Sequence, residues 1–157
     1  MIPLTTATAA FIPSIQVVES LKKILADTHI LYVKAHGFHW NVTGFRFNDL
    51  HAFFGNQYTE LFEAIDDLGE RIRKLGQKAP SSMAELMKLA SIKESGSNLN
   101  AQEMLKALLE GHQALSTSCK NLFVISEQGK DYATMDLATK RIESHEKSIW
   151  MLKSLLE

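Results

Sequence analysis

With 157 residues, 45% of them apolar, the chain is long enough for one domain that buries about 70% of the surface its unfolded form exposes. Its 17 basic and 18 acidic residues leave a formal net charge of -1, so bulk charge draws it neither to nucleic acid nor to an anionic membrane surface. The single cysteine, Cys119, excludes an internal disulfide framework and suits a reducing compartment.

The N-terminal stretch MIPLTTATAAFIP holds no Lys or Arg to start a secretory signal, and no segment approaches the roughly 20 apolar residues of a membrane span. The expectation is a soluble, cytoplasmic protein with no membrane partner, with residues 1–13 as a tail on one domain covering residues 1–157. Without a secretory route, the glycosylation-like triplet Asn41-Val42-Thr43 is a chance match. Pro13 and Ser14 open a helical pattern in which Ile15, Val18, Leu21, Leu25, His29, Tyr32, His36 and His39 recur at steps of three and four. Asn41 to Gly44 ends it with turn chemistry. A second helix follows, marked by Phe47, His51, Phe54, Tyr58, Leu61, Ile65, Leu68, Ile72 and Leu75 and stopped at Gly76.

Between Gln77 and Gly96 apolar residues are too sparse for a core helix, yet Ser82-Met83-Ala84-Glu85 reads as a capping box and predicts a short surface helix in a long crossover. Asn100-Ala101-Gln102-Glu103 starts a third long helix with Met104, Leu108, Leu115, Leu122 and Ile125 inward, ending at Gly129. Thr134, with Asp136 in the first turn, starts a fourth that runs through Leu137, Arg141, Ile142, Ile149 and Leu152. The prediction is an all-α four-helix bundle with one long crossover, the topology of ferritin-like folds.

Candidate metal ligands gather in the first half: His39, His51, Asp66 and Glu70. Asp66 and Glu70 are four residues apart and project from one helix face. His51 lies fifteen residues before Asp66, or roughly 22 Å along a continuous helix, whereas these ligands sit about 2 Å from a transition metal. Within one chain the two pairs cannot share an ion. In a twofold dimer with second helices antiparallel they can, because the histidine end of one chain then faces the carboxylate end of the other. Mixed imidazole and carboxylate donors suit iron, zinc or manganese and leave positions open for oxygen species. An ordinary intrachain di-iron site is excluded, since none of the six histidines has a Glu three residues before it.

His39-Trp40-Asn41-Val42, Gly44, Phe47, Leu50-His51, Asp66, Glu70-Arg71 and Leu75-Gly76, with the late segment from His145 to Leu152, resemble the signature of the Dps family, the DNA-protection-during-starvation miniferritins. The resemblance implies a hollow homododecamer whose dimer interfaces oxidise Fe(II), preferably with hydrogen peroxide, and store ferric iron; zinc is a possible substitute in the site. It assigns His39 and His51 of one chain, with Asp66 and Glu70 of the other, as catalytic metal ligands. One departure matters: where the family usually carries Asp or Glu four residues after the second histidine, this chain has Gly55. The second iron position is then weaker, completed by water, or served by another group. The alternative is a structural or DNA-associated assembly with impaired ferroxidase activity. Family members that condense DNA often use a lysine-rich tail, but the first 21 residues here hold no positive charge. DNA binding is accordingly expected to be weak or absent.

Other residues read more plainly. His29 and His36 belong to packing, as does Tyr58, while Trp40 is divided between packing and quenching of oxidising equivalents near the metal. Glu63 and Asp67 share the face of Asp66 and Glu70 as solvated surface. Asp131 and Asp136 serve either a cation-steering threefold pore or the start of the last helix. Cys119 is a small buried residue with no sign of activation.

Overall fold

The computed structural model describes residues 14–157; the tail expected over residues 1–13 lies outside the described residues. The five elements are α1 (Ile15–Asn41), α2 (Phe47–Lys74), α3 (Met83–Leu89), α4 (Ala101–Gln128) and α5 (Tyr132–Leu156). No strand occurs among the described residues. α1 pairs with α2 and α4 with α5, the two pairs join mainly through α1 against α4, and α3 rides on α1. This is the four-helix bundle with the long crossover and its extra short helix. Among the described residues, no helix is long and apolar enough to cross a membrane.

Local chemistry accounts for the boundaries. α1 stops at Asn41, and the link to α2 turns at Gly44, whose φ of 108° suits a residue without a Cβ. α2 ends in a Schellman motif: Gly76 (φ 79°) donates to the Arg73 carbonyl at 2.9 Å and Gln77 to the Ile72 carbonyl at 3.2 Å. Both expected capping boxes form, Ser82 with Glu85 on α3 and Asn100 with Glu103 on α4. At the α4–α5 link Gly129 is only the cap, with ordinary φ, and the left-handed position falls to Lys130 (φ 55°). That geometry costs a non-glycine residue about 1 kcal/mol.

Two sequence expectations are corrected. The stripe from Ile15 to His39 is not the single buried face of α1: Ile15 is exposed, while Val17, Ile24, Ala26, Ile30 and Ala35 are buried. α1 has α2, α4 and α3 around it, so apolar contact is spread over more than one face. The last helix starts at Tyr132, ahead of Thr134, because the Asp131 side chain caps it by accepting from the Thr134 backbone N–H at 3.1 Å. Asp131 is buried and its carboxylate is committed to this cap and to Arg71. That removes it as a pore-lining group. Asp136 is exposed and pairs with Lys140 at 2.7 Å.

Two buried polar clamps fix the frame. Asp27, buried on α1, accepts from the backbone N–H of Ser91 (2.6 Å) and Ile92 (2.8 Å) and from Lys23 (2.8 Å), tying the crossover to the bundle. Arg71 donates to Asp131 (2.6 Å) and Thr134 (2.8 Å), tying the last turns of α2 to the start of α5. The carboxylate end of α2 is thereby held on a rigid base.

Candidate metal centre

His39 lies in the last turn of α1 and His51 in the second turn of α2. The tight reversal between these helices brings the two imidazoles into a stack, with ring centroids 3.7 Å apart and planes inclined by 21°. Their contacts are reciprocal: His39 Nδ1 donates to the His51 carbonyl at 2.7 Å, and His51 Nδ1 donates to the His39 carbonyl at 2.8 Å. A carbonyl oxygen can only accept, so each Nδ1 carries a proton, and the tautomer this selects is the one whose lone pair lies on Nε2. This is the arrangement found behind most metal-binding histidines, where a backbone carbonyl fixes tautomer and orientation. The bond from His51 also serves a carbonyl in the last turn of α1, where the helix supplies no partner.

The surroundings are aromatic. Phe47 stacks on His51 at 5.2 Å, and Tyr58 meets His39 edge-on at 5.2 Å. His36 sits between Trp40 (4.0 Å) and Tyr58 (4.3 Å). Trp40 is mostly exposed, so packing within its own subunit does not account for it. Gly55 lies one turn beyond His51 beneath the His39 ring, where an added Cβ would come within 3.3 Å of His39 Nδ1.

Asp66 and Glu70 are both exposed, one turn apart near the other end of α2. Glu70 is held by Lys74 at 2.9 Å, and that hydrogen bond with the Lys74 charge lowers its carboxyl pKa. Because α2 runs unbroken from Phe47 to Lys74, the roughly 22 Å separation from His51 stands. The structure brings His39 to His51 and leaves the acidic pair apart. Among the described residues no three His, Cys, Asp or Glu side chains converge within the chain to hold an ion.

A second histidine pair escaped sequence reasoning. His112 on α4 and His145 on α5 are 1% and 0% exposed and joined Nδ1 to Nδ1 at 2.9 Å. Arg141 donates to His145 Nε2 at 3.3 Å and forms an ion pair with Glu60, which also accepts from Ser144 at 2.7 Å. Since Arg141 can only donate, His145 must carry its proton on Nδ1 and pass that hydrogen bond to His112, whose protonated Nε2 is buried without a partner. Burial lowers the pKa of both rings, His112 to about 4. The signal was available in the register of His112 between Leu108 and Leu115, and of His145 between Ala138 and Leu152. Cys119 is buried as expected, its thiol pushed up to about 12 by burial.

A four-helix bundle with this crossover is the architecture of the ferritin-like class, and the Ferritin-like domain profile matches residues 18–157. The chain is 35% identical over 141 residues to DNA protection during starvation protein 2 of Bacillus anthracis, covering 90% of this chain and 97% of that protein. It is 34% identical over 139 residues to the DNA protection during starvation protein of Helicobacter pylori, covering 88% and 96%. Among solved structures, a Dps protein of Vibrio cholerae, described as a ferritin-like diiron-carboxylate protein, superposes with a TM-score of 0.88 at 30% identity, covering 90% of this chain and 89% of that one. The chain belongs to the Dps family of ferritin-like proteins.

Proposed function

We propose that this chain is an iron-storing miniferritin subunit that oxidises Fe(II) at a centre formed between two copies. His39 and His51 come from one subunit, and Asp66 and Glu70 from its partner. The observation that carries this reading is the reciprocal pair of Nδ1 bonds, which leaves the two adjacent Nε2 atoms as the positions free for a metal. Membership of a ferritin-like family supports iron handling and protection of the cell during stress. The assembly proposed is a homododecamer that collects ferric product in its cavity.

Iron is the substrate. The imidazoles bind Fe(II) as neutral donors, and the two carboxylates supply the negative charge that favours Fe(III) over Fe(II). When one hydrogen peroxide takes an electron from each of two Fe(II) ions, it consumes two protons and leaves as two water molecules, so no radical is released. Zinc suits the same donors and cannot be oxidised. Protection of DNA is then chemical, through removal of iron and peroxide, and plasmid in a low-salt gel shift near neutral pH is expected to run unretarded. Retardation would contradict that part. The main test follows Fe(II) oxidation by peroxide spectroscopically for wild type and His51→Ala. The variant is expected to lose the fast phase, and equal rates would reject the centre.

A further inference from the structure

The centre shared between two subunits sets which parts of their α2 helices meet, and the contact between Gly55 and Phe62 inferred from it rests on that reading. If His51 of one subunit and Asp66 of the other approach one ion, the antiparallel helices cross their twofold axis between Tyr58 and Thr59. Gly55 is four residues inward from His51, and Phe62 is four residues inward from Asp66. Gly55 of each subunit therefore stands opposite Phe62 of the partner subunit. His51, Gly55, Tyr58, Phe62 and Asp66 step by four, three, four and four, and so share one stripe of α2.

The two positions are complementary in size. Phe62 is 62% exposed, the one large apolar side chain the stripe exposes between His51 and Asp66. Within its own subunit it leans on Tyr32, with ring centroids 6.0 Å apart. Acidic Glu63, Asp66 and Asp67 lie beside it, all exposed. Gly55 presents no side chain, and the nearest side-chain atoms to its missing Cβ belong to the His39 ring, 3.3 and 3.4 Å away. Trp40 on α1, against His36, and Phe47 on α2, against His51, add exposed apolar side chains at the histidine end of the same helix pair.

We propose that Phe62 of the partner subunit seats over Gly55, a contact made twice per dimer that sets the register of the two helices and excludes water from the flank of His39. With glycine at position 55, the only side chain among the described residues close to the missing Cβ is the His39 ring of the same subunit, which leaves the backbone there open to a ring arriving from across the axis. Gly55 and Phe62 act as register-setting residues and touch no iron.

Self-association of the full chain, measured by analytical ultracentrifugation over a dilution series, tests the contact. Phe62→Ala is expected to weaken dimer formation by roughly 10²-fold, whereas Phe62→Leu keeps most of it. Gly55→Leu crowds His39 of its own subunit in either background, so the contact is read from the excess: the substitution should weaken wild type more than it weakens the Phe62→Ala protein. Wild-type association of Phe62→Ala, or strictly additive effects of the two changes, would overturn the contact. Zinc titration of Asp66→Ala separates the underlying reading: full zinc affinity there would sink the shared centre whatever the cycle shows.

Discussion

Two histidine pairs in one bundle have opposite fates, and the second nitrogen of each ring decides which. In the α1–α2 pair both Nδ1 atoms are spent on backbone carbonyls, so both Nε2 atoms remain free at a half-buried surface. In the α4–α5 pair the rings bond to one another, and Arg141 occupies His145 Nε2 in the core. The first arrangement is ready for a cation. The second already holds one, the guanidinium, and is closed to another. A pair of neighbouring histidines is thus no sign of a metal site until the partners of all four nitrogens are known.

The comparison breaks most sharply at the free pair. His39→Ala or His51→Ala is expected to weaken zinc or Fe(II) binding by more than the roughly 10–100-fold that loss of an outer partner brings, with the melting temperature nearly unchanged; isothermal titration and thermal unfolding check both halves. His145→Ala should do the reverse. It opens a cavity and strands Arg141 and His112, costing about 2–4 kcal/mol by denaturant unfolding, while zinc affinity at the proposed centre should be unchanged.

Acid should also separate the pairs. Burial holds the folded pKa values of His112 and His145 below the ordinary 6.5, so between pH 6.5 and about 4 the unfolded chain binds more protons than the folded one. Stability then rises with pH across that window and is lost as pH falls through it. Glu60, whose carboxyl the Arg141 and Ser144 contacts hold below 4.5 against the opposing effect of burial, adds a loss only at lower pH. Unfolding midpoints from pH 7 to 4 should fall for wild type and flatten when both buried histidines are replaced by leucine. The smallest effect belongs to Lys74→Ala, which frees Glu70 from its surface ion pair. It should tighten zinc binding by up to roughly fivefold, read by titration, without a change in fold.

Much of this was legible beforehand. Helix number, both capping boxes and the stop at Gly76 follow from local chemistry that neighbours do not alter. That the turn at Asn41 to Gly44 places His39 beside His51 could be read from the sequence, though not the stacking of their rings, and their distance from Asp66 follows from the rise of an unbroken helix. What was hidden depended on tertiary contacts. The several buried faces of α1 come from its three neighbours, and the start of α5 shifted because Asp131 is held by Arg71 from sixty residues away. The core network of Glu60, His112, Arg141 and His145 was masked because polar residues on inward positions break the apolar pattern that marks a core. The tautomers of both pairs, which separate the two outcomes, are set by partners that sequence spacing does not name.

Subunit complementation tests the shared centre most directly. Chains with His39 and His51 replaced by alanine are co-assembled with chains in which Asp66 and Glu70 are replaced, and peroxide-dependent Fe(II) oxidation is measured. Neither parent should be active, but each mixed dimer contains one intact centre, so an equal mixture should recover about a quarter of wild-type activity. A mixture as inactive as its parents, in assemblies shown to contain both chains, would contradict the account.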